Sequence, residues 1–163
     1  MATRFSTKYL PRVIPTNTAQ AVYDFLSQSV QWVDSIPSRT RGFTRKACMV
    51  DLDNPSLSNE VISETLRTVL SKIGYKLGTN FSILGIYLNY YRNGYEFAPS
   101  HNHPKQRQLI ISLGATRTLI VGKKRYMLNS GDVILFGSSA HEVPVEPEVT
   151  EGRISIALFV LPL

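Results

Sequence analysis

Residues 108–136 read QLIISLGATRTLIVGKKRYMLNSGDVILF. Short runs rich in β-branched and other apolar residues alternate there with Gly114, Gly122-Lys123-Lys124 and Asn129-Ser130-Gly131, residue types that reverse a chain tightly. The stretch therefore predicts strands over Gln108–Leu113, Arg117–Val121, Arg125–Leu128 and Asp132–Phe136. Ser82–Tyr91, a short piece at Phe97–His103, and Arg153–Leu161 share the texture. Strands recurring at intervals of about ten residues are the pattern of a sandwich or barrel. The last of them is unusually apolar, so a central place in its sheet is expected.

Upstream the period changes. Thr16 or Asn17, after Pro15, can cap a helix whose stripe is Ala21, Val22, Phe25, Leu26 and Val30, and which ends before Pro37. Asn54-Pro55-Ser56 opens a second, with Ile62, Leu66, Val69, Leu70 and Ile73 on one face and Gly74 as its expected stop. Between them, Ser38 to Met49 is basic and polar around Phe43, which suits a loop or an edge strand exposed to a partner. The expected architecture is one domain over residues 1–163, mostly β with flanking helices: a two-sheet jelly roll in residues 81–163 with the helices of residues 1–80 packed on it.

Composition narrows the functional classes. At 163 residues, 43% hydrophobic and only 18% charged, the chain is long and apolar enough to bury a core, which excludes disorder, collagen and a coiled coil. One cysteine, Cys48, excludes an internal disulfide and any multi-cysteine zinc module. The longest predominantly apolar run, Ile154 to Leu163, is about half a membrane helix, and Met1 to Arg12 has no apolar leader core, so no membrane association and a cytoplasmic location are expected. Charge is uneven. Of the net +6, five charges fall in residues 1–50, through Arg4, Lys8, Arg12, Arg39, Arg41, Arg45 and Lys46 against Asp24 and Asp34. Such a face suits a polyanion or simply water.

The three histidines, His101, His103 and His141, all lie in the β-rich half, two of them at i, i+2. On a strand that spacing puts both imidazoles on one face, where a third from another strand can complete a metal site. Hydrogen-bonded or surface histidines remain an equal reading at this point. Asn89 and Tyr91 share a strand face by the same rule, and Arg153 heads the most apolar strand, where a buried anion suits it better than a surface pair with Glu151.

Taken in order, Asn89-Tyr90-Tyr91-Arg92-Asn93-Gly94, His101-Asn102-His103, Ile111-Ser112-Leu113-Gly114-Ala115-Thr116-Arg117, Gly131-Asp132, His141 and Arg153-Ile154-Ser155-Ile156 resemble the AlkB-like branch of the iron(II)- and 2-oxoglutarate-dependent dioxygenases, over roughly residues 81–160. The resemblance implies a double-stranded β-helix. It also implies Fe(II) held by His101 and His141, 2-oxoglutarate held by Arg153, Asn89 and Tyr91, and O2 as oxidant. A planar guanidinium can grip a carboxylate with two parallel hydrogen bonds. The family's lid lies before the β-helix, which implicates Arg39, Arg41, Phe43, Arg45 and Lys46 in binding substrate. Cations would hold phosphates and the aromatic ring would stack on a base. The implied substrate is a flipped or single-stranded alkylated nucleic-acid base, and a monomer is the expected state.

Two departures stand out. The family's H-x-D is His101-Asn102-His103 here, so His103 is either the third metal ligand or the mark of a decayed site. Glu96 is a poor substitute for the missing carboxylate, being five residues before His101 on an extended chain. Phe159 stands where a second arginine is common. A nucleic-acid-binding protein without turnover and a cupin-like metalloprotein are the alternatives.

Overall fold

The computed structural model describes residues 6–37 and 42–163. In chain order its elements are β1 (Lys8–Leu10), α1 (Thr16–Ser29), β2 (Val33–Ser35), β3 (Arg45–Met49), α2 (Leu57–Leu77), β4 (Phe81–Tyr91), β5 (Ala98–His101), β6 (Arg107–Gly114), β7 (Arg117–Val121), β8 (Lys124–Leu128), β9 (Val133–Phe136), β10 (His141–Val143) and β11 (Arg153–Pro162). Two antiparallel sheets form, one ordered β1-β9-β6-β11-β4-β3-β2 and the other β5-β10-β7-β8. This is the expected jelly roll. No helix among the described residues is long and apolar enough to cross a membrane.

Alternation along β11 organises the molecule. Ile154, Ile156, Leu158 and Val160 face the helices and meet Leu26, Ile62, Leu66, Val69 and Ile73 in one buried cluster. The intervening Arg153, Ser155, Ala157 and Phe159 face the smaller sheet. Near Ala157, a second cluster of Ile110, Leu119, Leu128, Ile134 and Phe136 closes the space between the sheets. Each fully buried aliphatic or Phe side chain contributes about 1.5–3 kcal/mol. As expected, β11 is central, paired along its length with β4 and β6.

The helices differ from expectation at their ends. Pro15, not Thr16 or Asn17, occupies the N-cap of α1, and no side chain caps it. Ser56 caps α2, accepting a hydrogen bond from the Asn59 amide at 3.1 Å. Gly74 does not stop α2; the helix runs to Leu77 and ends at Gly78, whose φ of 68° is left-handed. Gly74 is small for another reason: a Cβ there would stand 3.1 Å from the Thr79 carbonyl as the chain folds back. The basic segment yields β3, which lies inside the sheet between β2 and β4 and is not an edge. β1, β2 and β10 are three-residue strands too short to show a period.

Two buried ionic groups are structural. Asp132 accepts hydrogen bonds from the Tyr9 hydroxyl (2.6 Å), the Arg12 amide (2.9 Å) and the Asn129 amide (2.9 Å), which fastens β1 to the β8–β9 turn. Arg117 donates to Glu146 and to the carbonyls of Asn93, Glu96 and Pro144, tying the loops at one end of the smaller sheet.

Candidate metal centre

His101 ends β5 and His141 begins β10, and the two are direct cross-strand partners. Opposed residues of an antiparallel pair project to the same face. His103 lies two residues beyond the end of β5. The three rings nevertheless converge, with one potential ligand atom from each lying within 4.8 Å of the others. Nδ1 of His101 is 2.7 Å from the Pro99 carbonyl and Nδ1 of His141 is 3.2 Å from the Ser139 carbonyl. A carbonyl can only accept, so Nδ1 of each ring is the donor and Nε2 is the nitrogen left to ligate a metal.

Burial favours the neutral form of two of the rings, His141 and His103. Burial, reinforced by His101 and His103, lowers the His141 pKa to about 4, and burial followed by the influence of His101 lowers that of His103. Neutral imidazoles are what a divalent metal needs. Phenylalanines hold two of the rings: Phe159 meets His103 edge-on at 5.0 Å between centroids, and Phe136 meets His141 at 4.9 Å. Glu96, as expected, takes no part, because its carboxylate accepts from the Arg92 amide and guanidinium at 2.6 and 2.7 Å.

The cluster borders a cavity of about 640 Å³ between the sheets. Its floor is the inner face of the large sheet, read in rows by the register. Tyr91, Arg153 and Gly114 form one row, Asn89, Ser155 and Ser112 the next, and Phe159, Gln108 and Phe136 the row at the other end. Asn89, Tyr91 and Arg153 thus share the cavity with the histidines.

Arg153 is 1% exposed. Its Nε donates to Ser112 Oγ at 2.9 Å, whereas its Nη2 is buried with no hydrogen-bond partner among the described residues. Burial, aided by the charge of Arg117, pulls the guanidinium down to about 10. The Tyr91 ring lies between the two arginines, 5.4 Å from each guanidinium carbon, which relieves part of the cost of burying them. A buried cation with an open donor is chemically suited to an anion.

The residues expected to bind substrate separate. Arg39 and Arg41 lie outside the described residues. Arg45 is no surface cation: it is buried in the cavity wall, with Nε on Asn89 Oδ1 at 2.7 Å and Nη1 on Thr44 Oγ1 at 3.0 Å. Arg45 and Ala47 are the buried positions of β3, Ala47 opposite Asn89, which a loop reading of the segment does not reveal. Lys46 points the other way and pairs with Asp34. Phe43 is 44% exposed between two cations, with Lys46 Nζ 5.3 Å and Arg92 Cζ 5.5 Å from its ring centre. Ser112, Ser155 and Gln108 escaped the sequence reading. The available signal was their polarity at alternate positions of otherwise apolar strands.

No protein-family model matches the chain, and no curated protein matches it in sequence. Solved structures do match. OsALKBH1 superposes with a TM-score of 0.68 at 14% identity, covering 98% of this chain and 100% of that one. The fold is that of the 2-oxoglutarate- and iron(II)-dependent oxygenases. SnoN, a non-heme alpha-ketoglutarate-dependent epimerase from nogalamycin biosynthesis, gives 0.68 at 11% identity over 97% of this chain and 78% of its own. A 2OG-Fe(II) oxygenase family oxidoreductase from Burkholderia pseudomallei gives 0.64 at 19% over 94% and 84%. This oxygenase fold, an AlkB homologue included, agrees with the resemblance seen in the sequence.

Proposed function

We propose that the protein is an iron(II)- and 2-oxoglutarate-dependent oxygenase of AlkB type, acting on a nucleic-acid base by hydroxylation or oxidative demethylation. One observation carries the reading: three imidazoles converge at one part of a cavity whose floor also presents Arg153, a buried guanidinium with an open donor. The donor set fits the groups. Three imidazole nitrogens suit a divalent first-row metal, and Arg153, with Asn89 and Tyr91 on the neighbouring strand, suits the distal carboxylate of 2-oxoglutarate. Bound iron would supply the activation of O2, coupled to decarboxylation of 2-oxoglutarate to succinate.

The chain's own residues bind, orient and exclude water. His101 and His141 are aimed by the Pro99 and Ser139 carbonyls, and His103 is braced by Phe159. Ser112 holds the Arg153 guanidinium through Nε and leaves Nη2 toward the ligand. Arg45 donates to Asn89 Oδ1, which fixes the orientation of that amide and leaves its NH2 group, 3.5 Å from Ser155 Oγ, facing the cavity. With three neutral ligands in place of two and a carboxylate, the centre carries one more positive charge, which strengthens its hold on an anionic co-substrate.

The nucleic-acid part rests on the excess of positive charge in residues 1–50, the buried Arg45 set aside, and on Phe43, exposed and flanked by Lys46 and Arg92. An aromatic face among cations is a stacking platform for an unpaired base. The test is anaerobic loading with iron(II), then succinate production in air with 2-oxoglutarate, with and without methylated single-stranded oligonucleotides. The expected result is metal-dependent succinate, raised by the oligonucleotide. No succinate above the metal-free control would refute the oxygenase, and succinate indifferent to oligonucleotides would refute the substrate.

A further inference from the structure

The cavity floor holds a second open donor. Gln108, on β6, is 3% exposed, and its Nε2 is buried without a hydrogen-bond partner among the described residues. Leaving such a group unpaired is unfavourable, so a polar side chain is an unexpected choice where the neighbouring inner residue, Ile110, is apolar. Its position is specific. Gln108 faces Phe159 on β11 and Phe136 on β9, and these are the two phenylalanines that touch His103 and His141. The amide therefore sits in the row beneath the histidines, whereas the Arg153 backbone lies six residues along β11 from Phe159, about 20 Å of strand, part of which its side chain spans by reaching Ser112 in the next row.

We propose that Gln108 is a ligand-binding residue, its Nε2 donating a hydrogen bond to the carboxylate held at the histidine end of the cavity while Arg153 takes the carboxylate at the other end. The inference rests on the dicarboxylate reading above and extends it: two separate open donors, one at each end, match an anion with a carboxylate at each end. A monocarboxylate would leave one of them unpaired, which makes the pair a device for selecting dicarboxylates.

The test compares 2-oxoglutarate with oxalate, which is too short to reach Arg153, by calorimetry on the manganese(II)-loaded protein. Gln108→Leu and Gln108→Met remove the donor and keep bulk. Both are expected to weaken 2-oxoglutarate and oxalate by about tenfold or more, the range for a hydrogen bond to a charged group. Arg153→Met is expected to weaken 2-oxoglutarate and leave oxalate unchanged. Melting of the ligand-free Gln108 variants should occur at the same temperature or higher, since an unpaired polar group has been replaced by an apolar one. Unchanged affinities in the Gln108 variants, while the wild type binds both anions, would overturn this inference and leave the oxygenase reading standing. A fall in ligand-free melting temperature in both variants would overturn it too, by revealing a structural partner for the amide. If the metal-loaded wild type binds neither anion, both readings fall.

Discussion

His103 is where the chain's two departures from the AlkB pattern meet. Its ring lies against Phe159, so an imidazole and a phenyl group form one contact where the resemblance implies an aspartate and an arginine. His103→Ala should lower metal affinity by more than the ten- to hundredfold typical of lost outer-sphere support, and His103→Asp should retain it. Phe159→Arg alone should weaken metal binding by setting a cation beside the imidazole. Adding His103→Asp should recover it, and strictly additive effects in metal titrations would deny the coupling. Arg153 offers a second measurement. A buried charge without a carboxylate partner costs stability, so Arg153→Met should raise the unfolding free energy of the ligand-free protein, by about 1–4 kcal/mol in comparable replacements, while weakening binding of 2-oxoglutarate. Tyr9 lies on β1, at one edge of the larger sheet. Burial and its hydrogen bond to Asp132 raise its pKa from 10.0 to about 12. A raised folded pKa means the contribution is complete below pH 10 and is lost as pH climbs through 12. Denaturant midpoints should therefore fall less steeply between pH 10 and 12 in Tyr9→Phe than in the wild type, and parallel slopes would contradict the assignment.

At the scale of elements, close approaches decide where strands can lie. Gly131, in the β8–β9 turn, has a φ of +93°, and a Cβ there would stand 2.1 Å from the Ile14 carbonyl. Its own carbonyl accepts from the Ile14 amide at 3.1 Å, so the turn clamps the segment that joins β1 to α1. Gly131→Ala meets both a strained backbone and a clash, and should cost more than about 2 kcal/mol in equilibrium unfolding. A loss below 0.5 kcal/mol, the range of ordinary surface changes, would show that the clamp gives way. The pairing of β5 with β10 is the complementary case: it is short and irregular after His141, yet it is what sets two imidazoles side by side.

Across the whole molecule, the histidines belong to the smaller sheet and its adjoining loop, whereas Asn89, Tyr91, Arg153 and Gln108 belong to the larger. Metal should consequently stabilise one layer first. At a free metal concentration a hundred times Kd, linkage adds about 2.7 kcal/mol. Hydrogen exchange should slow chiefly in β5 and β10, and a chelator should reverse the change. Equal protection throughout β4, β6 and β11 would mean that the ion binds elsewhere or that the two layers open as a unit.

Local chemistry in the sequence was enough for much of this. Alternation and turn residues outlined the strands of residues 81–163, because side-chain direction along a strand depends only on the backbone period. The helical stripes were equally legible, and the order of histidine, asparagine, tyrosine and arginine residues pointed to the cavity before any contact was known. The rest depended on register. Gly74 and Gly78 look alike in the chain, and only the returning Thr79 carbonyl and a left-handed φ distinguish packing from termination. Arg45 and Lys46 are adjacent cations, yet one lines the cavity and the other pairs with Asp34 on the surface, because β3 is sandwiched between β2 and β4. His103 converges with His101 from beyond the end of β5, and Gln108 lies between two phenylalanines from other strands. Sequence determined which groups were available; pairing between strands far apart in the chain decided which of them share a buried space, since burial and proximity are properties of the assembled sheets.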